Sequence, residues 1–120
     1  TRFRFYGSVG NWERVFDFGL STTSSARQFV LFRVGTTNKL GLSIVNDSGG
    51  AYAENLTYTI VQGQWMEVAL TLSANHVALY VNDMAIPHYQ VNTTSYIPLT
   101  YPYAYIARSR NSGDHYPLTA

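Results

Sequence analysis

Two carboxylates in one short segment are the first residues whose types suggest chemistry. Glu13 and Asp17 lie in GNWERVFDFG, residues 10–19, which has the alternating pattern of a β-strand. Alternation predicts two faces for this strand: Glu13, Val15 and Asp17 on one, and Arg14, Phe16 and Phe18 on the other. Four residues of extended chain span roughly 13 Å, whereas glycosidase carboxylates lie within about 10 Å of each other. We therefore expect Glu13 and Asp17 to meet solvent or a neighbouring strand rather than to cleave a glycosidic bond.

The sequence predicts no catalytic residue and no required cofactor. It has no cysteine and contains neither a G-x-S-x-G elbow nor a phosphate-binding loop. Its three histidines, His76, His88 and His115, lack the spacing of metal ligands. Asp17 stays open as a calcium ligand at the rim of a sheet, but calcium needs about six oxygens and no acidic cluster supplies them.

Tyrosines crowd the C-terminal quarter of the chain, close to two arginines. The candidate residues for a ligand or subunit interface are Tyr101, Tyr103, Tyr105, Arg108 and Tyr116. Tyrosine and arginine are enriched at interfaces because each joins an apolar body to a polar tip. Such a surface can stack on sugar rings or bury against another subunit. The alternative is structural, with Tyr103 and Tyr105 sharing one face of a sandwich and filling it.

Three Asn-x-Ser/Thr sequons make asparagine glycosylation a second kind of candidate site. Asn92 stands in a polar loop and is the best acceptor, and Asn55 follows on the polar face of a predicted strand. Asn46 is the weakest of the three because aspartate follows it. Glycans at these positions would place the protein outside the cell.

Composition is typical of a single β-rich extracellular domain. Hydrophobic residues make up 46% of the 120 residues and charged residues only 12%. A net charge of +1 with scattered arginines excludes a positive stripe for nucleic acid. No apolar run approaches the ~20 residues that span a bilayer. A length of 120 residues predicts one domain, residues 1–120. Because the chain lacks an initiator methionine, we expect it to be a processed product or a segment of a longer chain.

Alternation with a period of two runs along the whole chain and predicts many short antiparallel strands. The predicted core positions are Phe3, Phe5, Leu40, Leu42, Ile44, Tyr52, Leu56, Tyr58, Ile60, Met66, Val68, Leu70, Leu72, Val77, Leu79 and Val81. The segment RQFVLFRV is apolar on both faces, as in a central strand. Turn-forming groups separate the runs. LSANHV and YVNDM predict tight hairpin turns, since Asn82 and Asp83 both tolerate the left-handed conformation that a two-residue turn requires. The predicted fold is an all-β, antiparallel two-sheet sandwich or barrel.

Four segments in this order resemble a known family. The segments NWERVFDFG, LGLSIVN, VQGQWMEVALTLSANHVALYVND and YAYIARSRNSGDHYP are similar to the laminin G-like branch of the concanavalin A-like sandwiches. The most specific pieces are Gly63-Gln64-Trp65, Leu79-Tyr80-Val81-Asn82 and Ile106-Ala107-Arg108-Ser109. The resemblance implies a jelly roll of two curved sheets in a secreted or cell-surface protein. It also implies a non-enzymatic module of a longer protein that binds glycans or proteins.

Three departures from the family pattern bear on assembly. Asp83 and Ala107 replace glycines that the family usually has, and these changes are mild. The larger departure is that the family continues beyond SGDHYP into another strand, and a strand before Arg2 is also missing. An unfilled strand position leaves unpaired backbone groups and an apolar stripe. We therefore expect either further chain or a strand donated by another copy.

Two functions stay open at this point. The first is an extracellular recognition or adhesion module that binds a glycan or a protein. The second is a structural subunit of an extracellular filament or glycoprotein assembly, in which neighbouring copies complete the sandwich. A glycoside-cleaving enzyme on the same fold is disfavoured because the sequence lacks the paired carboxylates.

Overall fold

Two antiparallel sheets form the described part of the chain. The computed structural model describes residues 1–5, 12–20, 28–45, 51–73, 76–92 and 100–107, with only the backbone of residues 51–55. Its strands are β1 (Arg2–Phe3), β2 (Arg14–Gly19), β3 (Gln28–Arg33), β4 (Lys39–Val45), β5 (Ala51–Thr59), β6 (Met66–Ser73), β7 (His76–Val81), β8 (Tyr89–Asn92) and β9 (Tyr103–Ile106). One sheet has the order β1-β6-β7-β8 and the other β5-β4-β3-β2-β9. The predicted all-β sandwich is confirmed.

The core lies between the sheets and follows most of the predicted alternation. Its buried residues include Phe3, Phe5, Leu40, Leu42, Ile44, Leu56, Ile60, Met66, Val68, Val77, Leu79 and Val81. Tyr58, Leu70 and Leu72 are partly buried against this cluster, whereas the side chain of Tyr52 lies outside the described residues. In β3, five of six residues are buried, which confirms the predicted central strand. No helix among the described residues has the length and apolar character needed to cross a membrane.

A β-bulge at Val15 breaks the alternation in β2. Arg14 pairs with Phe32 and Phe16 with Leu31, so Val15 is an extra residue between them. One extra residue reverses which side chains face the core. Val15 and Phe16 therefore both join the core, and Arg14 and Asp17 lie together on the outer face. The predicted grouping of Val15 with Asp17, and of Arg14 with Phe16, is wrong for this reason.

Three connections meet at one end of the sandwich, which we call the turn end and define as residues 34–38, 60–65 and 82–88. The amide of Ile60 donates to the carbonyl of Asn38 over 2.7 Å, which joins the first two connections. The amide of Asn82 donates to the carbonyl of Glu67 over 2.8 Å, which joins the third to the start of β6. Loops of both sheets therefore lie side by side there.

The two hairpin predictions have different outcomes. Ser73 pairs with His76, as expected for the turn predicted in LSANHV, although residues 74–75 lie outside the described ones. The YVNDM turn is not a tight hairpin, because Leu79 pairs with Tyr89 and the connection spans residues 82–88. Of the two residues predicted for the left-handed conformation, Asn82 has it, with a φ of 60°, and Asp83 does not. The Asp83 carboxylate then accepts a hydrogen bond from the Ala85 amide over 2.9 Å, which turns the chain away from β7.

The ends of the sheets bear on the predicted vacant strand position. Among the described strands, β9 lies at one edge of the five-stranded sheet and β1 at one edge of the other. Thr1 extends the pairing of β1, since its carbonyl accepts from the Val68 amide over 2.8 Å. The predicted gap after Tyr116 falls on residues 108–120, which lie outside the described residues.

Candidate functional site

The outer face of the five-stranded sheet carries the site that the sequence singled out. Cross-strand pairing arranges its side chains in three rows: Tyr103, Gly19 and Gln28; Tyr105, Asp17 and Val30; and Arg14, Phe32 and Gly41. Tyrosines therefore lie at the β9 edge, and an arginine and a phenylalanine lie further along the sheet. We call these residues the outer-face site.

Tyr103 and Tyr105 share this face because they alternate with Ala104 and Ile106 along β9. Tyr103 pairs with Gly19 and Tyr105 with Asp17. The side chain of Tyr103 is 37% exposed, and Tyr105 is half-buried. Because Gly19 carries no side chain, β2 places no bulk beside the Tyr103 ring at that row. An exposed aromatic ring next to a backbone-lined position is suited to a flat ligand.

The structure separates the predicted tyrosines and arginine. Tyr103 and Tyr105 come together on the outer face. Tyr101 instead packs toward the core, with its ring centroid 6.4 Å from that of Phe18. Arg108 and Tyr116 lie outside the described residues. Of the predicted interface residues that the structure describes, Tyr103 and Tyr105 are the two that lie side by side at one sheet edge.

Arg14 is held between an acid and an aromatic ring on the same face. Its Nε lies 3.8 Å from an Asp17 carboxylate oxygen, and its guanidinium carbon lies 5.2 Å from the Phe32 ring centroid. Trp12, 39% exposed, packs against the same Phe32 ring at a centroid distance of 5.5 Å. Two neighbours thus orient this cation, and its side chain keeps 13% of its surface exposed.

Asp17 itself is almost completely buried, at 1% exposure. Of the two predicted surroundings, solvent or a neighbouring strand, Asp17 therefore has the second: it pairs with Val30 and Tyr105, and the bulge brings Arg14 alongside it. An arginine next to this carboxylate favours an ion pair over the calcium site that the sequence left open. Within the described ranges, no three histidine, aspartate or glutamate side chains lie close enough together to hold a metal ion.

Glu13 lies on the opposite side of the sheet from Asp17. One of its oxygens accepts a hydrogen bond from Arg33 Nη1 over 2.6 Å, and Arg33 is 1% exposed. Arg33 Nη2 also donates to Asn38 Oδ1 over 3.2 Å, and the guanidinium carbon lies 4.8 Å from the Phe5 ring centroid. Glu13 therefore meets a neighbouring strand and not solvent. The two acids face opposite sides and cannot act on one bond.

The three sequons have different surroundings. Asn92, at the end of β8, is exposed, and its Oδ1 lies 2.9 Å from His76 Nδ1. Asn55 pairs with Gly41 through the backbone of β5, but its side chain lies outside the described residues, as does Asn46. Of the three acceptors, Asn92 is the one whose described side chain is open to solvent.

Comparison with protein-family models identifies the fold family. A laminin G-type model, described as the concanavalin A-like lectin/glucanases superfamily, matches residues 6–118. The chain belongs to this superfamily. The predicted resemblance to laminin G-like and concanavalin A-like domains is confirmed. Neither the curated proteins nor the solved structures gave a match. A laminin G-like domain is compatible with ligand binding, but the superfamily name covers lectins and glucanases alike, so function must be argued from the site.

Proposed function

We propose that this laminin G-like domain is a non-enzymatic recognition module that binds a glycan through the outer-face site. The observation that supports it best is the pair Tyr103 and Tyr105, adjacent on one face of an edge strand with Tyr103 exposed. Tyrosine rings offer flat apolar faces for the C–H surface of a sugar and hydroxyl groups for its polar rim. The Gln28 amide, in the same row as Tyr103, adds a polar neighbour.

A non-enzymatic role is supported by the placement of the acids. Asp17 is buried beside Arg14, and Glu13 is buried beside Arg33 on the other side of the sheet. Glycoside cleavage by the common mechanism needs two carboxyl groups about 5–10 Å apart around one bond. The outer-face site offers side chains for binding and positioning only.

An extracellular setting in a surface or matrix protein belongs to the same proposal. The exposed sequon at Asn92 and the low share of charged residues, 12%, support it. Mass spectrometry of the native protein should find glycan on the Asn92 peptide. An unmodified Asn92 together with unmodified Asn55 and Asn46 would remove this support.

The binding proposal is tested by a glycan array followed by titration calorimetry with the best ligand. We expect Tyr103→Ala to weaken binding about tenfold, as for a residue at the centre of an interface. Tyr103→Phe should keep most of the affinity, because the ring remains. Tyr80→Ala is the matched control, since Tyr80 is half-buried on the outer side of the other sheet. An empty array, or equal losses of affinity for Tyr103→Ala and Tyr80→Ala, would contradict the proposal. A protein that binds this domain and loses its affinity in Tyr103→Ala would show that the ligand is a protein and not a glycan.

A second candidate function, a subunit of an extracellular filament, is supported by Ile106. This residue pairs with Phe16, which faces the core, yet Ile106 is 75% exposed. An apolar residue on the inner side of an edge strand is suited to contact with a neighbouring copy. We expect long assemblies by electron microscopy and their loss in Ile106→Lys. The equally apolar Ile86→Lys, 69% exposed at the turn end, should leave them intact. Monomers at high protein concentration would exclude this candidate.

A further inference from the structure

The turn end carries a cluster of exposed apolar side chains separate from the outer-face site. Val61, Trp65, Met84 and Ile86 are 55%, 44%, 46% and 69% exposed. The first two belong to the connection before β6 and the other two to the connection after β7. They account for four of the seven large hydrophobic residues that are exposed in the described part of the chain. We call these four residues the apolar tip.

Cations lie directly beside the apolar tip. The guanidinium carbons of Arg2 and Arg4 lie 5.0 Å and 4.8 Å from the Trp65 ring centroid. Arg2 also lines a surface pocket of about 320 Å³ together with Met84, so Arg2 contacts Trp65 of one connection and shares a pocket with Met84 of the other. Two acids belong to the same region. Glu67 lies 3.9 Å from Arg2, and the Asp83 carboxylate, next to Met84 in the chain, accepts a hydrogen bond from the Ala85 amide.

We propose that the apolar tip docks on a membrane surface that contains anionic lipid. Tryptophan favours the boundary between water and acyl chains, and arginine can extend its head toward phosphate while its stem stays in apolar surroundings. Exposed aliphatic side chains at the tip of two loops gain free energy by entering that boundary. Docking of this kind is peripheral and needs no spanning segment.

The same contacts argue against a sugar at this place. Both arginines lie over the Trp65 ring, so a sugar would have to compete with two cations for the faces of that ring. A site for a sulfated polysaccharide would need the arginines but would gain nothing from Val61, Met84 and Ile86. The combination of aliphatic side chains with cations therefore favours a lipid surface.

Fluorescence of Trp65 provides the direct test. The chain has two tryptophans, so Trp12→Phe leaves Trp65 as the only reporter. We expect its emission to shift to shorter wavelength with phosphatidylcholine vesicles that contain phosphatidylserine, and to be quenched by a quencher carried on the acyl chains. Pure phosphatidylcholine should give a weaker response. No shift and no quenching with the anionic vesicles would overturn the proposal.

Paired variants separate docking from a general loss of structure. Ile86→Ser should weaken vesicle binding by at least about tenfold, whereas Ala104→Ser, at an exposed apolar residue of β9, should not change it. Arg2→Gln should weaken binding about fivefold, and Glu67→Gln should strengthen it by a similar factor, because each changes one charge next to the lipid surface.

Other results would contradict docking of the apolar tip on a lipid surface. Equal losses for Ile86→Ser and Ala104→Ser, or a Glu67→Gln variant that binds more weakly, would contradict docking through the apolar tip. Binding to heparin that depends on Arg2 and is unaffected by Ile86→Ser, without vesicle binding, would show a polysaccharide site instead. Glycan binding at Tyr103 is measured without vesicles, so the failure of either proposal leaves the other standing.

Discussion

Ala107 has a left-handed backbone conformation that glycine adopts more easily than alanine. It follows β9 with a φ of 56°, in the left-handed region where a side chain of L configuration is strained. Its amide donates to the Val15 carbonyl over 3.0 Å, and this bond fixes the chain there. The family usually has glycine at this position, so the departure that the sequence showed has a local cost.

We expect Ala107→Gly to raise the free energy of unfolding by about 0.5–1 kcal/mol, because glycine adopts a positive φ without strain. Ala104→Gly is the matched control. Ala104 is exposed in the middle of β9, and glycine there should lower the free energy of unfolding by a similar amount. Urea denaturation measures both. A neutral or destabilising effect of Ala107→Gly would show that the positive φ does not strain Ala107.

The strands β3 and β4 approach closely where Phe32 covers Gly41. A Cβ atom on Gly41 would lie 2.7 Å from Phe32 Cε2 and 2.9 Å from Val34 Cγ2. Gly41 therefore makes room for the ring that supports Arg14 and Trp12 on the outer face. The glycine in the strand KLGLSIV has a packing role.

We expect Gly41→Ala to lower the free energy of unfolding by about 1–3 kcal/mol through overpacking. Phe32→Leu in the same chain should return part of this loss, because the smaller side chain makes room for the methyl group. A double-mutant cycle by urea denaturation measures the coupling. If the two effects simply add, the Phe32 ring is not what excludes a side chain at position 41.

Much of the element pattern could be predicted, and the exceptions have physical reasons. The strand β3 was predictable because both of its faces are apolar, and Tyr103 and Tyr105 because a strand repeats every two residues. The bulge at Val15 was not, since no glycine or turn residue marks it in the sequence. The longer connection after Val81 depends on Asn82 bonding to a strand far away in sequence.

The burial of Arg33 was missed for a related reason. A charged residue in a strand is expected at the surface unless its partner is known. The partner, Glu13, comes from another strand and is brought to Arg33 only by the fold. The apolar tip was missed likewise, because only the pairing of β6 with β7 brings the connections that carry Trp65 and Met84 to the same end of the sheet.

At the scale of the whole molecule, one asparagine ties the two sheets together. Asn82 Nδ2 donates to Tyr58 Oη over 2.8 Å, and Asn82 Oδ1 accepts from the Glu67 amide over 2.9 Å. Tyr58 belongs to the five-stranded sheet, and Glu67 belongs to the four-stranded sheet. His88 packs edge-on against Tyr58 with ring centroids 5.4 Å apart. The interface between the sheets thus holds this polar tie as well as the buried pair of Glu13 and Arg33.

We expect Asn82→Gly to lower the free energy of unfolding by about 1–2 kcal/mol, since it removes both side-chain hydrogen bonds and keeps the positive φ. Tyr58→Phe should cost about 1 kcal/mol, and the double variant less than the sum. Thermal and urea unfolding measure the cycle, and Tyr80→Phe is the control. Additive losses would show that the bond between Asn82 and Tyr58 contributes nothing.

The contact between Glu13 and Arg33 makes incorrect strand pairing costly. Leaving one member of a buried ion pair without its partner costs roughly 3–5 kcal/mol. A slip of one residue between β2 and β3 would point one charge outward and strand the other in the interior. Any out-of-register pairing of β2 with β3 is therefore less stable than the native one, and the pair selects the correct register of the sandwich.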